Sequence, residues 1–140
     1  MKSGSISALF LAFVISAFSA SAQDISKKDY ILGNTLLTLY HEFGHGLVSE
    51  LGLPVLGKEE DAVDTFSIVA ITDKLNDADA YTDAQAEELD TYLWVTANAW
   101  LTFADEEEPD ESSYAGEHSL DIQRFYSHVC LVYGSDTDFH

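Results

Sequence analysis

Residues 26–52 read SKKDYILGNTLLTLYHEFGHGLVSELG, and the rest of the chain can be organised around them. Ser26 and Asp29 have the spacing of a capping box, with Asp in place of the usual Glu. Apolar residues recur at Leu32, Leu36, Leu39, Phe43, Leu47 and Leu51, close to the period of a helix. Gly52 offers a C-cap and Pro54 prevents continuation. One long helix is therefore expected over 26–51.

Inside it lies His41-Glu42-Phe43-Gly44-His45, the pattern H-E-x-x-H. Positions i and i+4 sit one turn apart on one helix face, so both imidazoles can approach a single ion. Two neutral imidazoles plus a carboxylate suit zinc, which keeps a fourth position open for water. The ion lowers the pKa of that water towards ~7 and polarises a carbonyl oxygen. Glu42, beside the histidines, is placed to take the water's proton as general base and return it to a leaving amine. Histidines at helical spacing also occur as ordinary core or surface residues. A second half of the site is what separates the two readings.

That half is Glu60-Asp61-Ala62-Val63-Asp64. It falls in a second expected helix, 58–75, whose opening Glu59-Glu60-Asp61 suits the positive end of the helix dipole. Glu60 and Asp64 share a face. Glu60 could complete the protein ligands, and Asp64 could accept a hydrogen bond from the far nitrogen of a ligand histidine, fixing its tautomer. Glu60 follows His45 by fifteen residues, enough for one return through the connector 52–57. The second helix would then lie antiparallel on the first. Glu59 is the rival ligand, pointing about 100° away from Glu60 around the helix.

Moving outward, Met1 and Lys2 precede a mostly apolar run, 6–18, and then Ala20-Ser21-Ala22. This is the three-part pattern of a secretory signal peptide, with cleavage expected after Ala22. The run is shorter than the ~20 apolar residues that span a bilayer. Residues 23–140 are expected to form one domain, exported to the periplasm or the medium, with no stable membrane association after cleavage. Beyond the second helix, 76–81 reads as a polar turn. Thr82 and Gln85 again have capping-box spacing and open a third helix to about Ala104, with Tyr92, Trp94, Trp100 and Phe103 on it. Residues 105–116 read as an acidic surface loop, without the pattern of a calcium loop. A fourth helix is expected over 118–133. Phe66 to Ile71 could pass for a short strand, but its acidic start and the lack of a pairing partner favour helix. The fold expected is mainly α, compact, with little or no β-sheet.

Twenty-five Asp and Glu face six Lys and Arg, a net charge of -19. Removal of the leader takes Lys2 and no acid. With no basic stripe to neutralise phosphates, nucleic acid is excluded as a partner. A single cysteine, Cys130, excludes an internal disulfide framework, and its apolar neighbours suggest a buried thiol.

H-E-x-x-H followed by E-x-x-x-D on a later helix resembles the gluzincin metallopeptidases. Nearly all of the mature chain is similar to a bacterial metallopeptidase family long carried as a domain of unknown function. The likeness is borne by residues 31–35, 40–46, 53–57, 59–64, 117–121 and 123–126. It implies one zinc ion held by His41, His45 and Glu60, with Glu42 as base and Asp64 behind a histidine, His41. It also implies peptide or protein substrates, and since family members tend to continue past Gly134, this chain could lack a C-terminal segment. Gluzincins place a β-sheet with a substrate-holding edge strand against the metal helix, and no such strand is visible here.

Peptide hydrolysis also needs a donor for the oxyanion of the tetrahedral adduct. His118, Arg124, Tyr126 and His128 are the candidates on the fourth helix. His118 is favoured, because Asp121 three residues on could orient it. Arg124, the only arginine, reads more simply as a structural ion pair. Gly44 and Gly46 each cost about 1 kcal/mol of helix propensity, tolerable where a backbone or substrate must come close. The function expected is zinc-dependent peptide hydrolysis. The alternatives are an exported zinc-binding protein and a catalytically inactive homologue acting as an interaction module.

Overall fold

The computed structural model describes residues 25–75, 81–106 and 109–135. The expected leader at 1–22 lies outside them, as do 76–80 of the expected polar turn and everything after Ser135. The described residues form five helices and no strand: α1 (Lys27–Leu51), α2 (Glu59–Leu75), α3 (Asp83–Glu106), α4 (Glu111–Ala115) and α5 (Asp121–Ser135). None is long and apolar enough to cross a membrane.

The signals at the ends of α1 act as the sequence implies. Ser26 caps it, its hydroxyl accepting from the Asp29 N–H at 3.1 Å. Gly52 ends it in the left-handed conformation, φ 61°, which glycine adopts without a Cβ clash. Its N–H satisfies the Val48 carbonyl. At α3 the Gln85 side chain accepts from the Thr82 N–H at 3.0 Å. The stretch 66–71 is helical, as its acidic start favours, and Ile68 and Ile71 enter the core.

Two stretches differ from expectation. Part of the expected acidic loop is the short helix α4, because the Asp110 carboxylate accepts from the Ser112 and Ser113 N–H groups while Ser113 Oγ accepts from the Asp110 N–H. The last helix begins at Asp121 rather than at His118. Ser119 is held outside it: its N–H and hydroxyl both donate to Asp61, at 3.2 and 2.7 Å. The Leu120 N–H goes to the Gln123 side chain at 3.1 Å, which fixes the helix start one residue later.

The four long helices form a bundle. α1 packs on α2 and α3, α5 packs on the same two, and α2 and α3 also touch. Side-chain pairs 41 with 64 and 45 with 60 show α1 and α2 running antiparallel. Leu37, Ile68, Ile71, Leu93 and Val132, one or two from each long helix, make the centre. Buried Thr72 and Thr96 return their hydroxyls to carbonyls in the preceding turn, Ile68 and Tyr92, at 3.1 and 3.0 Å.

The face that α1 buries is not its leucine stripe. Leu32, Leu39, Phe43 and Leu51 are exposed, Leu39 by 64 %. The buried line is Gly33, Leu37 and Gly44. A Cβ on Gly33 would stand 2.7 Å from Val95 Cγ2 and 3.0 Å from the Tyr92 carbonyl oxygen. One on Gly44 would stand 3.0 Å from Val63 Cβ. Gly33 lets α3 come close and Gly44 lets α2 come close, and the second approach brings the metal-ligating residue types of α1 within reach of α2. Gly46, expected to serve the same end, faces open space.

Candidate metal centre

The close approach of α1 and α2 gathers His41, His45 and Glu60. One ligating atom from each lies within 4.8 Å of the others, and among the described residues this is the group that could hold a metal ion. His41 Nε2 is 3.1 Å from Glu60 Oε2, and His45 Nε2 is 3.4 Å from Oε1. The two Nε2 atoms are 3.2 Å apart.

Tautomers explain why this arrangement could hold a cation. His41 Nδ1 is 2.8 Å from Asp64 Oδ1, and His45 Nδ1 is 2.8 Å from Glu59 Oε1. A carboxylate only accepts, so each Nδ1 must carry the proton. In the neutral rings each Nε2 then presents a lone pair. Two lone pairs and a carboxylate converge on one space. Glu60 Oε2 is buried and has no hydrogen-bond partner, although His41 Nε2 and His118 Nε2 stand 3.1 and 3.0 Å away. Proximity is not pairing here. A buried, unpaired carboxylate oxygen facing two imidazole lone pairs is costly without a positive charge between them. The donor set of two imidazoles and one carboxylate matches open zinc sites.

The surroundings of the two histidines differ. The hydrogen bond to Glu59 and the charges of Glu60 and Glu59 hold His45 above the ordinary imidazole value of 6.5, outweighing desolvation. Behind His41, Asp64 is gripped by Arg124: Nε donates to Oδ2 at 2.8 Å and Nη2 to Oδ1 at 3.0 Å. The guanidinium carbon lies 3.6 Å over the Trp100 ring.

Glu42 is exposed beside His41 and makes no hydrogen bond or ion pair among the described residues. His118, expected on the last helix, sits in the segment before it. Its carbonyl accepts from Lys58 Nζ at 2.9 Å, and its half-exposed ring reaches Glu60. Asp121 does not orient that ring; it lies 3.8 Å from Arg124 Nη1 instead. Glu59, the rival ligand, stands behind His45 rather than in the trio. Of the other oxyanion candidates, Arg124 has its donors turned to carboxylates and Tyr126 is exposed on α5. His128 is wholly buried, with both ring nitrogens unpaired, and burial pushes it down to about 4 despite the nearby Leu93 backbone. Cys130 is exposed, not buried. The inward face of α5 is His128 and Val132, and Cys130 lies about 200° from His128 around the helix.

Comparison with known families meets this geometry. The profile of a family described as "Putative metallopeptidase" matches residues 9–140. The chain belongs to that family. No curated protein and no solved structure matched it. Membership implies a metal cofactor, and the His-His-Glu trio is a group in this metallopeptidase-family chain that could bind it. Sequence reasoning did not find Glu59 as the partner of His45 or Arg124 as the partner of Asp64. The single arginine in a strongly acidic chain was the available signal for the second.

Proposed function

We propose that this protein is a zinc-dependent peptidase, with one zinc ion held by His41, His45 and Glu60. The observation that carries the reading is the convergence of two Nε2 lone pairs and a buried, unpaired carboxylate oxygen on one space. A zinc ion bound there supplies Lewis acidity, activating water and polarising the scissile carbonyl. Glu42 takes the proton of the attacking water as its oxygen adds to the carbonyl carbon. When the C–N bond breaks, Glu42 passes that proton to the leaving nitrogen. His118, half exposed at the rim, donates to the oxyanion of the tetrahedral adduct. Asp64 holds His41 in the Nδ1–H form and keeps its Nε2 free for the ion.

The substrates are peptides or proteins. Residues 1–22 direct export and are removed, leaving residues 23–140 to act in the periplasm or the medium. The Glu42→Gln variant tests the catalytic half of this reading. It is expected to keep zinc and to lose at least 100-fold in the rate of cleavage of a peptide library. Equal cleavage by the variant and the parent would remove Glu42 from its role.

The second reading is an exported zinc-binding protein without turnover, or an inactive homologue acting as an interaction module. It is favoured by the all-helical arrangement of the described residues, which offers no edge strand for an extended peptide. Zinc-loaded parent protein that leaves the whole library intact would select it.

A further inference from the structure

Arg124 lies 60 residues from Asp64 in sequence and one turn into α5, yet it makes a two-bond fork onto the Asp64 carboxylate. The same guanidinium sits over Trp100 of α3, its carbon 3.6 Å from the ring centroid. Asp64 Oδ1 accepts both from Nη2 and from His41 Nδ1–H, at 3.0 and 2.8 Å. The series Trp100, Arg124, Asp64, His41 thus takes one residue from each long helix and ends on an imidazole of the trio. All the polar members are largely buried, with side-chain exposures of 11 % for Arg124, 16 % for Asp64 and 14 % for His41.

A plain ion pair between α2 and α5 would need only closeness of charge. The fork does more. Two parallel bonds fix the plane of the carboxylate as well as its position. That plane decides where the remaining lone pair of Oδ1 points, and it points at His41 Nδ1. A lysine could neutralise Asp64 but could neither form the fork nor stack on the indole. The companion acid Glu59, behind His45, has no such support. It is 46 % exposed and makes no contact with a cation among the described residues.

We infer that Arg124 is a positioning residue of the metal centre: by fixing the Asp64 carboxylate it holds His41 in the Nδ1–H tautomer with Nε2 directed at the metal. The inference rests on the reading of His41 as a ligand. The Arg124 donors are directed to Asp64 and Asp121, so its influence on His41 runs through Asp64.

The test uses the full chain loaded with zinc, comparing the parent with Arg124→Gln, Arg124→Lys and the milder Trp100→Phe. Zinc affinity is measured by competition with a chromophoric chelator. The Nδ1–H signals of His41 and His45 are followed by proton–nitrogen correlation. Arg124→Gln is expected to weaken zinc binding roughly 10- to 100-fold, the range for removing an outer partner of a ligand. Arg124→Lys should recover only part of that loss. In both variants the His41 Nδ1–H should exchange faster with solvent while that of His45 stays put. Should the Arg124 variants not fold, Trp100→Phe still decides, with a few-fold loss of affinity and faster exchange at His41 alone. Unchanged affinity and unchanged His41 exchange in the folded variants, whatever their melting temperature, would make Arg124 a mere clasp between helices and overturn the inference. A parent chain that binds no zinc would overturn the inference together with the metal reading beneath it.

Discussion

His41 and His45 belong to one motif on one helix, yet the structure treats them differently. His41 is backed by Asp64, which is backed by Arg124 and Trp100, all within the packed part of the bundle. His45 is backed by Glu59, half exposed at the first turn of α2. Both imidazoles donate from Nδ1 at 2.8 Å, so the tautomer is the same in each. The stiffness behind it is not. A carboxylate fixed by an arginine fork holds its ring plane. A solvated one can swing away and be replaced by water at little cost. The pair therefore reads as one anchored imidazole and one compliant imidazole.

Cutting each backing acid in turn should separate the two histidines most widely. Asp64→Ala leaves Arg124, a largely buried cation, with only the longer contact to Asp121, and removing one partner of a buried pair typically costs about 3–5 kcal/mol. Zinc affinity should fall as well. Glu59→Ala should cost less than about 1 kcal/mol of stability, because its partnership is exposed. Chemical denaturation of the two variants checks the ranking, and equal losses would erase the distinction.

The next effect concerns the helix contact on which both histidines depend. Gly44→Ala places a methyl 3.0 Å from Val63 and 3.1 Å from Phe66, so α1 must move from α2 or Val63 must yield. Overpacking of this kind costs about 1–3 kcal/mol. Gly46→Ala meets nothing within 4 Å and should instead stabilise α1 by about 1 kcal/mol. Thermal melts that rank the two variants the other way would refute the close-approach account of Gly44.

Acid provides two smaller and separable tests. Protons compete with metal for imidazole. The hydrogen bond and charge of Glu59, with the charge of Glu60, raise His45 above the ordinary imidazole value, so protons compete with the metal for it more strongly than for an unperturbed imidazole. Glu59→Gln removes the cause and should move the release midpoint to lower pH. His128 works in the opposite sense and away from the metal. Its folded-state value is depressed to about 4 while the unfolded chain protonates near 6.5. The unfolded state then binds more protons, so stability present above 6.5 is lost as pH falls towards 4, by up to about 3 kcal/mol. A His128→Leu variant should lose this part of the acid sensitivity while keeping the zinc-release profile of the parent.

Much of the site was legible because its parts are local or close in sequence. The i, i+4 spacing puts His41 with His45 and Glu60 with Asp64, and the short return through 52–57 lets the two pairs face each other. The rest depended on distance or on absence of side chain. Arg124 meets Asp64 across 60 residues, and nothing in the local pattern of α5 announces it. The segment 118–120 reads as helix until Asp61 claims the donors of Ser119. The face α1 turns inward is not legible in its apolar period for a different reason. Periodicity counts leucines, whereas two of the three residues buried on that helix are glycines, whose contribution is the room they leave.

The most direct measurement of the central claim is metal content. The full chain, purified without chelator, and its His41→Ala and Glu60→Ala variants would be analysed for bound zinc. About one zinc per parent chain is expected, and almost none in either variant, since each removes one of three protein ligands. Zinc at the parent level in both variants would contradict it.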